Sequence, residues 1–453
     1  MITRDNISNI YFIGIGGIGM SALARYFKSK GAVVSGYDKT PTVLTQTLEA
    51  EGIGVHFDDN PNTCPREAQV VVYTPAIPKD HAELNFYREA GYTVVKRSDV
   101  LQWITQNSFN ICVAGTHGKT TVTSMIAHLL RHTGYGCNAF LGGISANYQT
   151  NFWSSPNNVV VVEADEYDRS FLKLHPDIAV ITSMDPDHLD IYGTAAAVEE
   201  AFIAFSGQIK PGGHLLAKAG MPRGTELQGT HVRHYHWNKQ DAGVSITQWS
   251  VENGSYRFSM QGPEGAIQNM VLHMGGLHNL DNMLAAISVA QILGIDAEAI
   301  RAAVADYKGV RRRFEYALKT ADHTIIDDYA HHPDELRALI SGVRSLYPDQ
   351  PFTLVFQPHL FSRTADQAKG FAEVLALADE LILLPIYPAR ELPMPGITSE
   401  WLLDQINHPH KKVMSKEAFQ QWATTQRPRL LVMAGAGDID AQITLTAKIL
   451  STP

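Results

Sequence analysis

The stretch FNICVAGTHGKTTVTSMIAHLL, Phe109–Leu130, decides how this chain is read. Phe109–Val113 is a mostly apolar run of strand length. GTHGKTT, Gly115–Thr121, then turns the chain. Val122, Met125, Ile126, Leu129 and Leu130 follow at i, i+3, i+4, i+7 and i+8, the spacing of one buried helix face. Gly134 stands where a helix stop belongs. A strand, a glycine turn and a helix form the context that a phosphate loop requires. Gly115 and Gly118 let backbone N–H groups approach phosphate oxygens, Lys119 supplies a point charge, and the Thr120 hydroxyl can ligate Mg²⁺. The loop departs from the full GxxxxGK[ST] spacing, because Val113 occupies the first glycine position.

Working outward, VVVVEADEYD (Val159–Asp168) reads as a buried strand that ends in Glu163, Asp165 and Glu166. Acids at the end of a strand beside a phosphate loop are placed to hold Mg²⁺. SMDPDHLDIYG (Ser183–Gly193) carries His188 among three aspartates, as a loop histidine or a second metal ligand. GLHNLDN (Gly276–Asn282) sets His278, Asn279 and Asn282 within about one helical turn. A polar stretch near Gly220–Gly265 alternates as short antiparallel strands would.

Upstream, the strand Asn9–Ile13 runs into GIGGIGMS (Gly14–Ser21), a helix over Met20–Lys30 and a strand ending at Asp38. Gly14, Gly16, Gly17 and Gly19 with Asp38 are similar to a dinucleotide fingerprint. The turn can meet a diphosphate and does not distinguish NAD from another nucleotide. Val70–Tyr73 is a further strand leading into Thr74, and Lys96–Ile104 reads as a connecting helix. Downstream, strands at Thr324–Ile326, Phe352–Phe356, Leu381–Leu384 and Leu430–Met433 each end in a polar loop: DDYAHHP, QPHLFSRT, PIYPARE and AGAGDID. Ligands of open parallel sheets bind outside the carboxyl ends of strands. His359 and Arg363 lie four apart in one such loop, and Arg suits bidentate capture of a carboxylate. VRRRFEY (Val310–Tyr316) and Asp327, Asp328, His331 and His332 admit either surface or functional readings.

Strands alternate with helices along all 453 residues, so the fold class is α/β. Three domains are expected: a Rossmann-like domain over 1–105, a central P-loop ATPase-like domain over 106–309 and a C-terminal Rossmann-like domain over 310–453. Hydrophobic residues make up 45% and charged residues 18%, which excludes a disordered chain or a fibre. A net charge of −9 without a basic block argues against nucleic acid or a membrane surface as partner. No protein partner is evident as obligatory. Cys64, Cys112 and Cys137 are isolated and fit a reducing compartment. The first residues lack signal-peptide features, so a cytoplasmic location is expected.

Taken in order, GIGGIGMS, GTHGKTT, EADEYD, DHLDIY, GLHNLDN, RRRFE, DDYAHHP, FQPHLFSRT, IYPARE and GAGDI resemble the motifs of the Mur ligase family, the ATP-dependent amide-forming enzymes of peptidoglycan precursor synthesis. Within it the chain is similar to the alanine-adding branch. The resemblance implies ATP and Mg²⁺ as cofactors, with UDP-N-acetylmuramate and L-alanine as substrates joined through an acyl phosphate. It implies catalytic roles for Lys119, Glu163 and His188, and metal binding by Thr120, Glu163 and His188. ATP would meet Gly115, Thr116, His117, Gly118, Lys119, Thr120, Thr121, Asn282, Arg313 and Asp328. The UDP-sugar would meet Gly14, Gly16, Gly17, Gly19, Asp38, Thr74, His278 and Asn279, and the amino acid His359 and Arg363. It also implies that the domains close over their substrates. Other branches carry a carbamylated lysine eight residues after the threonine of an HGT-type segment; here Phe202 stands there, and His188 becomes the second-metal ligand. The competing readings are a ligase that recycles a tripeptide, an NAD-dependent dehydrogenase and a nucleotide-binding protein without turnover.

Overall fold

Three sheets organise the computed structural model, which describes residues 6–187, 189–389 and 391–452. The first sheet holds β1 (Asn9–Ile13), β2 (Val33–Tyr37), β3 (Gly54–His56), β4 (Val70–Tyr73) and β5 (Val94–Lys96) in the order 3-2-1-4-5, all parallel. The order reverses at β1, so its carboxyl end opens a crevice, and the glycine turn 14–19 lies there. The helix that follows is Ile18–Ser29, starting two residues before the expected Met20.

The second sheet has ten strands: β6 (Phe109–Ala114), β7 (Asn138–Phe140), β8 (Phe152–Trp153), β9 (Val159–Glu163), β10 (Ile178–Ile181), β11 (His214–Lys218), β12 (His231–His236), β13 (Val244–Glu252), β14 (Ser255–Gly262) and β15 (Gly265–Leu272). Their order is 15-14-13-12-11-10-6-9-7-8. β6 lies between β9 and β10, parallel to both, so the phosphate loop and the acidic loop leave the same edge side by side. β12 runs parallel to β11 and to the start of β13, which corrects the antiparallel expectation for that segment. β11 and β12 are joined by residues 219–230, long enough for the crossover that a parallel pair requires. β13 and β14 do meet in a tight hairpin, where Asn253 and Gly254 both take positive φ (51° and 66°) as a two-residue turn demands.

The third sheet runs β16 (Glu315–Lys319), β17 (Thr324–Asp328), β18 (Thr353–Phe356), β19 (Glu380–Leu383), β20 (Lys411–Val413) and β21 (Leu430–Ala434) in the order 16-17-21-18-19-20. The four expected strands are its interior. β16 and β20 close its two edges, and edge strands carry polar sequences without a strand signature. By contacts the chain forms two compact units: Met1–Thr247 with Ser259–Gln268 and Asp281–Val304, and Gln248–Phe258 with Asn269–Leu280 and Ala305–Pro453.

The helix Lys119–His132 is buried on all sides from Thr120 to Leu130, not on one face as its apolar spacing suggests. Its polar side is covered too: His128 Nε2 lies 2.8 Å from the Ala303 carbonyl. The five apolar side chains are fully buried, and each contributes about 1.5–3 kcal/mol over an exposed position. Phe202 is also fully buried, its ring 5.4 Å from that of Phe171, so this position belongs to the core. All three cysteines are free and buried. No helix among the described residues is long and apolar enough to cross a membrane.

Within the first unit, the first sheet's helix docks on the second sheet through aromatic and polar contacts. Tyr26 packs 5.5 Å from Phe140 and 6.0 Å from Phe152. Arg25, 7% exposed, pairs with Glu51 at 2.8 Å and donates to Asn151 Oδ1. Asn151 is fully buried and donates from Nδ2 to the Ile18 carbonyl at 2.6 Å and to Ser21 Oγ at 2.9 Å. Asn151→Leu removes the acceptor of the buried Arg25 Nη1, a cost of about 1–3 kcal/mol, while Ser21 Oγ still donates to the Ile18 carbonyl at 2.9 Å. We expect the apparent Tm to fall by about 2 °C or more; a thermal melt unchanged within about 1 °C contradicts this account of the docking.

Candidate functional site

The phosphate loop is shaped by its backbone. Gly115 has φ +137° and lies against Ser183, whose backbone nitrogen a Cβ would approach to 2.9 Å. Gly118 has φ +84° and caps the helix Lys119–His132. Side chains from the loop after β10 hold the turn from below. Ser183 Oγ accepts the His117 N–H at 2.9 Å and lies 2.8 Å from Thr116 Oγ1, which in turn accepts the Asp185 N–H at 3.1 Å. Thr121 is buried in the first helical turn. Asn282 comes to the loop from its own helix, with Oδ1 3.2 Å from where a Gly118 Cβ would stand.

Lys119 folds back over the loop. Its Nζ donates to the Gly115 carbonyl at 2.8 Å and to Glu166 Oε1 at 2.7 Å. Glu166 is 1% exposed, so the pair is shielded from water on the carboxylate side. The Tyr192 hydroxyl donates to the Glu166 carbonyl at 2.6 Å and fixes that loop, and burial pushes its phenol up to about 12. Glu166 thus holds the lysine through Oε1. Glu163 takes the other position. Its Oε1 accepts the Gly142 N–H at 2.7 Å and its Oε2 accepts from Thr120 Oγ1 at 3.2 Å. A hydroxyl beside a carboxylate at a helix start fits Mg²⁺, which takes one or two protein oxygens and completes its shell with phosphate and water. Among the described residues no three His, Cys, Asp or Glu side chains gather as a protein-only cage. His188 lies outside the described residues.

A cavity of about 330 Å³ opens between the glycine turn and the acidic loop. Gly17, Gly19 and Thr74 line it from the first sheet, and Gly142, Glu163 and Asp165 from the second. Gly14 N and Ile15 N donate to the Tyr37 carbonyl at 2.7 and 2.9 Å, which tightens the turn. Asp38 accepts the Gly16 N–H at 2.8 Å, so this carboxylate braces the turn itself. The structure brings together Gly17, Gly19, Thr74 and Glu163, which the sequence lists as unrelated motifs. It adds Gly142 and Arg97. Neither carries a local signal: Gly142 is one glycine in a polar loop, and Arg97 one base at a strand-to-helix junction.

The remaining candidates lie in the second unit. Asn279 is 3% exposed and donates from Nδ2 to the Gly275 carbonyl at 2.6 Å, while the neighbouring His278 opens the helix His278–Ile292. Asp328 accepts the Phe314 N–H at 2.7 Å and the Ala330 N–H at 2.8 Å, which ties the RRRF turn to the end of β17. Burial pushes its carboxyl up to about 6 against those bonds and the nearby Arg313. Arg313 is exposed. His359 and Arg363 do meet: Arg363 Nη1 lies 3.3 Å from His359 Nδ1. The His359 ring stacks on Tyr387 at 5.7 Å and meets His331 edge-on at 6.0 Å. Burial, then Arg363 and His331, lower the His359 pKa, which keeps the imidazole neutral and able to accept from Arg363. Tyr387 was not singled out in the sequence, although it sits in the IYPARE motif.

The three family models that match cover most of the chain. They are the Mur ligase family catalytic domain over residues 9–109, the Mur ligase middle domain over 113–290 and the Mur ligase glutamate ligase domain over 312–439. A UDP-N-acetylmuramate–L-alanine ligase of Flavobacterium johnsoniae is 46% identical over 451 residues, 99% of either chain. The enzyme of the same name from Porphyromonas gingivalis strain W83 is 46% identical over 98% of this chain and 100% of its own. Among solved structures, the UDP-N-acetylmuramate–alanine ligase of Thermotoga maritima superposes with a TM-score of 0.82 at 26% identity, over 98% of this chain and 99% of its own. A murein peptide ligase of Psychrobacter arcticus shares the fold at a TM-score of 0.66 and 20% identity, over 98% and 99% of the two chains. The chain therefore belongs to the Mur ligase family of ATP-dependent amide-forming enzymes.

Proposed function

We propose that this chain joins L-alanine to the lactyl carboxylate of UDP-N-acetylmuramate at the expense of ATP. The observation that carries the reading is that Glu163 joins two sites: it accepts from Thr120, which follows Lys119 at the end of the phosphate loop, and it lines the cavity that also touches the glycine turn. That junction supports a γ-phosphate and a sugar nucleotide meeting at Glu163. The domain partition at 105/106 and 309/310, Mg²⁺ and a cytoplasmic location belong to the same reading.

A carboxylate resists amide formation because oxide is a prohibitive leaving group. In the proposed reaction a lactyl carboxylate oxygen attacks the γ-phosphorus, the bond to ADP breaks, and an acyl phosphate forms. The alanine amine then attacks the acyl carbon, phosphate leaves with the former carboxylate oxygen, and the nitrogen loses a proton. Lys119, ordered by Glu166, would neutralise charge on the transferring phosphoryl group. Thr120 and Glu163, with His188, would hold Mg²⁺, which spreads charge from the β- and γ-phosphate oxygens. His117, Gly118 and Asn282 would face the triphosphate, and His278 and Asn279 the nucleotide or sugar. Arg313 and Asp328 are proposed for ATP, and His359 with Arg363 for alanine. The direct assay is phosphate release with UDP-N-acetylmuramate alone and with L-alanine, glycine, L-serine or the tripeptide. Release that depends on L-alanine supports the reading; preference for the tripeptide overturns it.

Three variants test the roles. Lys119→Ala is expected to keep the fold and lower kcat about 10³-fold, and turnover near that of the parent refutes its role. Glu163→Gln is expected to raise the Mg²⁺ concentration for half-maximal activity about tenfold or more, and an unchanged metal dependence removes it from the metal site. Arg363→Lys keeps the charge and loses the planar fork. It should raise KM for L-alanine about tenfold, close to 1.4 kcal/mol, with KM for ATP little changed. A parallel rise in both constants would assign Arg363 to folding instead.

A further inference from the structure

Arg97 stands at a point where several observations meet. It begins the helix Arg97–Thr105, directly after β5. It is the one cation among the described residues that line the 330 Å³ cavity, and Glu163 and Asp165 are the anions there. Its guanidinium lies over the first turn of the helix Ile18–Ser29, with Nη1 3.1 Å from where a Gly19 Cβ would be. Gly19 has no unusual φ, so its lack of a side chain makes room for Arg97. Across the cavity, Arg97 Nη2 reaches Asp165 Oδ2 at 3.5 Å, with the two side chains 29% and 42% exposed. A charge-assisted hydrogen bond is normally 2.7–2.9 Å, so this contact is a loose and solvated one. Asp38, the other charged group at the turn, is committed to the Gly16 N–H.

A sugar nucleotide brings two negative charges on its diphosphate into a cavity already lined by two carboxylates. We infer that Arg97 carries the diphosphate of the UDP-sugar at the glycine turn, and that Asp165 is its exchangeable internal partner. The inference rests on the UDP-sugar reading of this cavity. It assigns Gly19 and Arg97 to one device, in which the absent side chain of one admits the charge of the other. Phosphate oxygens accept the guanidinium fork in place of the long contact to Asp165.

Calorimetric titration of the full chain with UDP, UMP, UDP-N-acetylmuramate and ATP tests it. Arg97→Met should weaken UDP and UDP-N-acetylmuramate at least tenfold, UMP threefold or less, and ATP not at all. Arg97→Lys, which keeps the charge and is the safer fold, should lie between, about threefold weaker for UDP. Asp165→Asn should tighten UDP about threefold, because the internal competitor is gone. Equal loss of UMP and UDP in Arg97→Met, or UDP binding unchanged, overturns the inference. Loss confined to UDP-N-acetylmuramate would move Arg97 to the lactyl carboxylate and overturn the diphosphate assignment. Weaker UDP binding by Asp165→Asn overturns the exchange. A parent protein that binds ATP but neither UDP nor UDP-N-acetylmuramate would instead overturn the UDP-sugar reading itself.

Discussion

The lysine at the start of the central helix, held between the Gly115 carbonyl and the buried Glu166, is the contact on which the rest of the site depends. A phosphate loop presents N–H donors and one cation, and neither works unless the backbone stays in an improbable conformation. Gly115 and Gly118 make that conformation accessible, and Ser183, from the neighbouring strand's loop, locks it through Thr116 Oγ1 and the His117 N–H. Parallel pairing of β6 with β9 and β10 is what brings those loops together. The acidic loop therefore serves two ends at once. Glu166 orders the lysine, and Glu163, three residues earlier, faces Thr120 and the cavity.

The second constraint is the docking of the glycine-turn helix on the central sheet. A buried arginine needs its donors satisfied, and Glu51 and Asn151 supply the acceptors. Asn151 also takes the Ile18 carbonyl into the same network, so the first turn of that helix is fixed relative to β7, β8 and the loop at Gly142. The cavity is the space left between two surfaces held in register by this network and by Tyr26 against Phe140 and Phe152.

Sequence patterns made the α/β class and the loop chemistry legible, since strand, glycine turn and helix follow each other within about twenty residues. Pairings across the fold were not legible. Glu163 and Glu166 look equivalent in EADEYD, and only the directions of their side chains separate a lysine partner from a threonine partner. Asp38 fits a ribose-binding position by spacing, yet its carboxylate braces Gly16. The helix after the phosphate loop has a one-sided apolar pattern but is packed all round, because its other side is made of small threonines, a serine and His128, with Thr123 Oγ1 donating to the Lys119 carbonyl and His128 Nε2 lying 2.8 Å from the Ala303 carbonyl. Edge strands β16 and β20 escaped notice because polar sequences are tolerated where one side of a strand has no partner. His359 and Arg363 were legible as a pair from spacing alone, and the structure sets them 3.3 Å apart; the Tyr387 wall behind His359 comes from a different strand's loop.

The central claim is that phosphoryl transfer to a carboxylate, at the loop that holds Lys119, drives amide formation. The most direct test follows oxygen. UDP-N-acetylmuramate labelled with ¹⁸O in the lactyl carboxylate should, with ATP and L-alanine, yield inorganic phosphate carrying one ¹⁸O atom per turnover. Phosphate free of the label, released while the amide forms, would contradict the account.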